Sequence, residues 1–551
     1  MTELIDKHRD TLEQALDAIN SRSYWSPYPE HPKAYGEDAP SKGEAAFKAR
    51  LGKPFAIDQP HDGYLRVDET SPYGIELDVE YPNASIGDLV GAAKAASVDW
   101  GKASPDTRAG VLLEVLDRLA GQSFEMGHAV MATTGQTFIM AFQAGGPHAL
   151  DRALEAIAYT YAEQQRLPGP LTWEKPQGKR DPLVIDKQWV IRPLGVAATL
   201  GVSTFPTWNG YPGIFASLAA GNPVIVKPHP ATILPFAIMV ETARRTLAED
   251  GRDPNLVTLL VDTTGAPVAK DLVMHPDIAI VDYTGGPAFG TWLEENVHHA
   301  QVYTEKAGVN SVILDSAEDL APVFRNLSVS MSMYSGQMCT TPQNLYVPRD
   351  GVTVGGEKVP FDDVAAGFAE AVGGLLGDED RAVGILGAIK SEDIASRVDE
   401  AAKSGEVLLS SRDIDNPAFP GATIRTPVVV GVDAADRDIY MREMFGPVIY
   451  VIATDSTEDA LALAAESAQE KGAITWLVYT NDDGVKEAAI DAAVDGGVSL
   501  AFNLTGGLYV NQSAAFSDFH VTGHNPAGNA SLTDPAFVTG RFKVIGVRDE
   551  S

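Results

Sequence analysis

Cysteine is almost missing from this chain: Cys339 stands alone among 551 residues. That excludes an intrachain disulfide and any cysteine metal cluster. Positive charge is also scarce. Against 75 Asp and Glu there are 42 Lys and Arg, leaving a formal charge of −33 and a pI near 4.6. A surface of that sign repels phosphate backbones and anionic membranes, so neither nucleic acid nor membrane is expected as a partner. No uninterrupted apolar run reaches membrane length. The first residues, Met1-Thr2-Glu3-Leu4-Ile5-Asp6-Lys7-His8, lack the basic and apolar regions of a signal peptide, and a cytoplasmic protein is expected. The histidines fall in no metal-ligand spacing such as H-E-x-x-H, so no metal is expected. Nor is there a G-x-G-x-x-G anywhere. What the chain does have is hydrophobic content of 44%, enough for large cores, and length for about three to four domains' worth of chain.

Most unpaired cysteines behave as small buried hydrophobes. The setting of Cys339 argues otherwise. Leu320, Val323, Phe324, Leu327, Met331 and Tyr334 recur at helical spacing, and the helix they predict should stop near Ser335-Gly336. Cys339 is then placed on a backbone turn at the helix end, in the sequence Met333-Tyr334-Ser335-Gly336-Gln337-Met338-Cys339-Thr340-Thr341-Pro342, with small and polar neighbours. A nucleophile needs a fixed backbone, an open face and nearby N–H donors.

Residues 1–60 read as a polar leader. They open with a helix (Leu4 to Ile19) and continue through a Pro- and Tyr-rich segment, Tyr24 to Tyr35, that is expected to pack on a domain as an ordered arm. Helices follow after Ser104-Pro105-Asp106 and from about Ala149 to Gln164. From about Lys187 apolar strand-like runs (Gly195–Val202, Pro223–Val226, Val257–Val261, Ile278–Tyr283) alternate with helical patterns (Pro212–Ala220, Leu234–Ala248, Pro267–Met274), which argues for a parallel, doubly wound sheet. Lys227-Pro228-His229-Pro230 follows one strand. Thr284-Gly285-Gly286-Pro287-Ala288-Phe289-Gly290 follows another and leads into a helix whose N-terminal amides suit a pyrophosphate. A second α/β region has strands at Asn344–Val347, Val448–Ile452, Ile474–Tyr479 and Gly497–Ala501. Two outlying strands, Val184 to Pro193 and Phe537 to Val547, are expected to pair as a small sheet used between subunits, or as an ordinary edge hairpin.

Together these pieces resemble the aldehyde dehydrogenase superfamily over roughly residues 62 to 547. Leu218-Ala219-Ala220-Gly221-Asn222-Pro223-Val224-Ile225-Val226-Lys227-Pro228 resembles the strand carrying the family's cofactor lysine. Tyr283-Thr284-Gly285-Gly286 with Gly290 resembles its F-T-G-S loop, and Glu305-Lys306-Ala307-Gly308 its E-L-G-G. Gly336-Gln337-Met338-Cys339 is similar to G-Q-x-C, and Glu443-Met444-Phe445-Gly446-Pro447 to E-I-F-G-P. Asn310-Ser311 and the long N-terminal arm look most like the ring-opening aldehyde dehydrogenases of phenylacetate degradation.

The resemblance implies an α/β fold with a Rossmann-type NAD(P)-binding domain (61–167 and 191–307), a catalytic thiol domain (308–524), and oligomerisation strands and tail (168–190 and 525–551) behind an N-terminal arm (1–60). It implies NAD(P)-dependent oxidation of an aldehyde, through a thioester on Cys339 that Glu305 helps water to hydrolyse, by a homodimer or homotetramer. Lys227 would hold the adenosine ribose and Glu443 the nicotinamide ribose, with Phe445 packed near the nicotinamide. His229, Gly285, Gly286 and Gly290 complete the cofactor set. Thr204 stands where the family keeps its oxyanion asparagine, and either Thr204 or Asn209 is expected to donate instead. Pro230 takes the place of a ribose-binding glutamate, and without that carboxylate a 2′-phosphate is not repelled, so NADP is expected, with NAD as the alternative. A surface ion pair with Lys306 is the other reading of Glu305. Release of the thioester to coenzyme A, and a catalytically impaired nucleotide-binding scaffold, are the competing functions.

Overall fold

A computed structural model describes residues 4–306, 308–517, 520–529 and 531–550. The fold is mixed α/β with two largely parallel sheets. The first lies in the order Val257–Leu259, Val224–Lys227, Val196–Leu200, Ile278–Thr284 and Gln301–Glu305, and every neighbouring pair is parallel. Its strands read as continuous Val and Ile runs because helices cover both faces. The chain moves outward from Val196–Leu200 through two strands, then returns to its other side with Ile278–Thr284. That reversal opens a crevice beyond the carboxyl ends of these two strands, where open α/β sheets take ligands.

The second sheet runs Glu406–Leu409, Val428–Asp433, Val448–Thr454, Pro342–Pro348, Asn310–Leu314, Thr475–Tyr479 and Ser499–Phe502, parallel except at its Glu406–Leu409 edge. The last strand of the first sheet, Gln301–Glu305, is followed in the chain by Asn310–Leu314, a strand of the second. Glu305 therefore ends one sheet close to where the other begins, and Cys339 sits just before Pro342–Pro348.

The N-terminal segment is ordered as expected. Helix Leu4–Ser21 buries Ile5, Leu12 and Ala15, and Tyr35 meets Phe124 and Phe142 edge-on. Two boundaries differ from the sequence reading. The helix expected from Pro212 starts at Pro206, where a missing N–H costs nothing, and Pro212 lies inside it. The tail is not one strand. Asp534 accepts from the Ala536 N–H and caps a short helix, Pro535–Thr539, before the strand Phe542–Glu550. That strand pairs antiparallel with Arg180–Pro193, with Val544 opposite Ile191. Leu171–Gln177, which the strand reading passes over, completes a three-stranded sheet. Among the described residues no helix is long and apolar enough to cross a membrane.

Candidate active site

The helix leading to the lone cysteine spans Leu320–Ser332 and stops slightly earlier than its periodicity suggests. Tyr334, Ser335 and Gly336 then take three consecutive left-handed conformations, with φ of 51°, 52° and 66°. Tyr and Ser adopt this region at a cost, so tertiary contacts must hold them there. Tyr334 donates to the Thr134 carbonyl and Ser335 Oγ to Leu386 O. Gln337 Nε2 bonds the carbonyls of Tyr334 and Ala388, both at 3.1 Å, and its Oε1 accepts from the Lys390 N–H at 2.8 Å. A Cβ on Gly336 would stand 2.3 Å from Gly446 O, so only glycine fits. Beyond the turn, Asn310 Nδ2 donates to Cys339 O at 2.7 Å, while its Oδ1 accepts from Ile474 N and Thr475 N. The backbone around the thiol is fixed from three directions. Its face is less open than the sequence neighbours suggest, since Cys339 is half-buried and packs on Ile474, Val521 and Ala527.

Glu305 points into this site. Its Oε1 accepts from Asn209 Nδ2 at 3.0 Å and lies 2.6 Å from His520 Nε2. One polar atom from each of Glu305, Cys339 and His520 lies within 4.8 Å of the other two. Lys306 takes no part, because its ammonium is held by Glu294 at 2.9 and 3.0 Å. Burial pushes the Cys339 thiol well above its ordinary range, and the carboxylates of Glu305 and Glu443 push it further, against Arg152 and the thiol's own backbone N–H. Burial also works to raise Glu305, but His520 and the Arg152 guanidinium outweigh it and hold the carboxyl below the usual range. Thr204, expected beside the sulfur, is buried and lines neither cavity described below, and its carbonyl accepts from Gln136 Nε2.

Two cavities meet here. One lies at the crevice between the central strands and is bordered by Gly201, Thr284, Asn209, Glu305 and His520. The other, about 360 Å³, reaches Cys339 between Met140, Phe205, Trp208, Val329, Met333 and Ile385, with no Lys or Arg in its lining. At the crevice Lys227 ends its strand as expected, yet its ammonium is committed to Asp262 Oδ1 at 2.7 Å, both side chains being nearly inaccessible. Burial draws the Lys227 ammonium down, and Asp262 opposes that. Pro230 does leave its own place without a carboxylate, but Asp262 supplies one from the end of the neighbouring strand. His229 is turned into its own loop, where Nδ1 accepts from the Ala231 N–H.

Gly286 caps helix Pro287–Asn296, and the space a Cβ would take there is open, which suits close approach of a ligand. Gly285 and Gly290 are glycines for another reason: a Cβ would strike the Tyr283 hydroxyl in one case and the Lys306 stem in the other. Burial raises the Glu443 carboxyl to about 7, against the Gly308 N–H and Arg397. The Phe445 carbonyl accepts from Arg397. A buried ammonium, an open helix N-terminus and half-buried Glu443 are donors and acceptors that fit a dinucleotide's phosphates and riboses. Sequence reasoning passed over Asp262 and His520. The first had a signal, a carboxylate directly after an apolar strand; the second, in an irregular stretch, had none.

Comparison with known proteins agrees with this geometry. Residues 79–513 match the profile of the Aldehyde dehydrogenase family. A crystal structure described as a NAD-dependent aldehyde dehydrogenase from Burkholderia multivorans superposes with a TM-score of 0.98 at 53% identity, covering 100% of this chain and 99% of that one. The 2-aminomuconic semialdehyde dehydrogenase of Bos taurus is 25% identical over 439 residues, 76% of this chain and 83% of the relative. The NADP-dependent glyceraldehyde-3-phosphate dehydrogenase of Bacillus halodurans C-125, complexed with NADP, shares the fold at a TM-score of 0.67 and 20% identity, covering 89% of this chain and 100% of that one. With the profile matched across most of its length, this chain belongs to the aldehyde dehydrogenase family.

Proposed function

We propose that this protein oxidises an aldehyde to its carboxylic acid with NAD(P), through a thioester on Cys339. The observation that carries the reading is the mutual approach of Cys339 and Glu305 within 4.8 Å where the two cavities meet. The Cys339 thiolate, its proton given up to water, bonds to the carbonyl carbon, whose π electrons move to oxygen. The backbone N–H of Cys339 is the donor proposed for that oxygen, since Thr204 does not border the cavity and Asn209 is engaged by Glu305. When bound, the oxidised nicotinamide supplies the hydride acceptor. Glu305 then takes a proton from the water that cleaves the thioester. Lys227 and the amides after Gly286 hold the adenosine half of the cofactor, and Glu443 and Phe445 the nicotinamide half.

The cavity around the thiol joins Met, Trp and Phe walls with the polar side chains of Gln143, His148, Asn511 and His520, a lining that suits an apolar chain with a polar end. A semialdehyde of aromatic catabolism, of the phenylacetate type, is the substrate class proposed. The motif wording and the N-terminal arm support it, and one relative is named for a semialdehyde. The protein assembles as a homo-oligomer through the three-stranded sheet, which leaves Trp173, Leu183, Val544 and Ile545 exposed. The test is rapid mixing with a panel of aliphatic and aromatic aldehydes. Reduced cofactor should appear in a burst, and acid-quenched protein should carry the acyl group on the peptide containing Cys339. Steady turnover with an unmodified Cys339 at every time point would rule the thioester out.

Asp262 bears on the choice of cofactor. Its carboxylate beside Lys227 repels a 2′-phosphate and withholds the ammonium from it, which favours NAD. Asp262→Ser should raise the ratio of kcat/KM for NADP over NAD by about tenfold or more, equal to ~1.4 kcal/mol. An unchanged ratio in a folded variant would place the ribose elsewhere.

A further inference from the structure

His520 has no role in the reading above, yet no other side chain is held closer to the proposed base. Its Nε2 is 2.6 Å from Glu305 Oε1, the same oxygen that Asn209 reaches at 3.0 Å. The imidazole is 9% exposed and is wedged by the Trp208 indole, edge to face with centroids 4.7 Å apart. Its Nδ1 is buried with no partner among the described residues. With Asn209 and His520 both on Oε1, the carboxylate is pinned by one oxygen beside the Cys339 thiol. A buried histidine gripped only through one nitrogen, with its second nitrogen left unsatisfied, is a costly arrangement for packing alone.

We propose that His520 is the positioning residue of Glu305, its Nε2–H fixing the carboxylate against Cys339 and keeping it ionised for cleavage of the thioester. The inference rests on the thioester reading. The charged groups facing this pair are Arg152 from helix Pro147–Gln165, with Glu155 beside it, and the Cys339 thiol, which Glu443 faces in turn. Arg152 is anchored on Trp208, its guanidinium 3.9 Å from the ring and its Nε bonded to Trp208 O. Neither of these contacts involves His520.

The sign follows from burial. His520 holds the Glu305 carboxyl down, so without it burial acts with less opposition and the carboxyl rises. Glu305 is then ionised only at higher pH, and hydrolysis is lost as pH falls through a higher value than in wild type. The experiment needs neither cofactor nor the natural aldehyde. p-Nitrophenyl acetate acylates a reactive thiol directly, releasing p-nitrophenol as the thioester forms. The burst reports acylation of Cys339 and the steady rate reports thioester hydrolysis, both followed across pH at the isosbestic wavelength.

In His520→Ala the acid limb of the steady rate should move up by about one pH unit or more, and the rate should return to within about twofold of wild type near pH 9. His520→Gln, whose amide reaches as far as Nε2 and donates without charge, should restore part of that shift, up to about half, because the charge of His520 counts for more than its hydrogen bond. If His520→Ala does not fold, His520→Asn, too short to reach Oε1, takes its place. A loss of rate that is the same at every pH, or Gln behaving like Ala, overturns the proposal. A wild type without any burst overturns the thioester reading itself, and this inference with it.

Discussion

Glu305→Gln should stop the enzyme after one acylation. The amide keeps the shape of the carboxylate but cannot accept a proton from water, so the thioester on Cys339 should form and then persist. We expect reduced cofactor to appear in a burst approaching one equivalent per thiol, followed by a steady rate lower by roughly 10²–10⁴. Cys339→Ala, by contrast, should give neither burst nor adduct, because the bond-forming atom is gone. Removing the carboxylate should also ease ionisation of the thiol, since Glu305 raises it at present. Alkylation of Cys339 by iodoacetamide should then rise at lower pH in Glu305→Gln than in wild type, the opposite direction from its effect on turnover. Rapid quench and mass spectrometry of the Cys339 peptide read the first effect, and the pH dependence of alkylation the second. A variant that turns over within tenfold of wild type would move the base to another group, and His520 would be the first to examine.

The contrast between Cys339 and His520 shows what a chain of this kind displays before it is folded. Cys339 was readable because local rules converge on it: a helical period that stops, a glycine, a run of small residues and a proline-led strand. Lys227 was readable for a similar reason, standing at the end of a Val-Ile-Val strand. The alternation of strands and helices gave the sheets, since burial on both faces writes itself as β-branched runs. What could not be read depends on contacts far apart in sequence. The left-handed backbone at Tyr334 and Ser335 is imposed by Thr134, Leu386 and Ala388, and nothing local asks for it. Asp262 meets Lys227 from the loop after a neighbouring strand, which a motif search along one segment never reaches. Phe537–Thr539 reads as strand because alternation over a few residues is also satisfied by one helical turn with a capping aspartate.

Arg541→Ala should be the most destabilising single change in the tail. The guanidinium is fully buried and forms a bidentate pair with Asp282, at 2.8 and 2.6 Å, besides reaching Ser217 Oγ at 2.7 Å and Phe537 O at 2.8 Å. It stacks on Tyr303 and Phe537, 4.4 and 4.3 Å from their ring centres, and its backbone carbonyl accepts from Asn222 Nδ2. Burial alone would make this cation costly, but Asp282 more than compensates and raises its proton affinity. Deleting it leaves Asp282, buried and packed against Gly213, as an uncompensated charge. Such losses cost about 3–5 kcal/mol. Arg541→Lys should recover only part, because an ammonium cannot make the planar, two-pronged contact or the ring stacking. The discriminating variant is the double change Arg541→Met with Asp282→Asn, which removes both charges and should be more stable than Arg541→Ala alone. Denaturant unfolding of the three proteins measures this. Because Arg541 ties the strand Phe542–Glu550 to the end of Ile278–Thr284, the same variants should loosen the three-stranded sheet and lower the molecular mass in light scattering. If Arg541→Ala unfolds like wild type, the buried pair is no anchor, and the tail is held by its antiparallel ladder with Arg180–Pro193 alone.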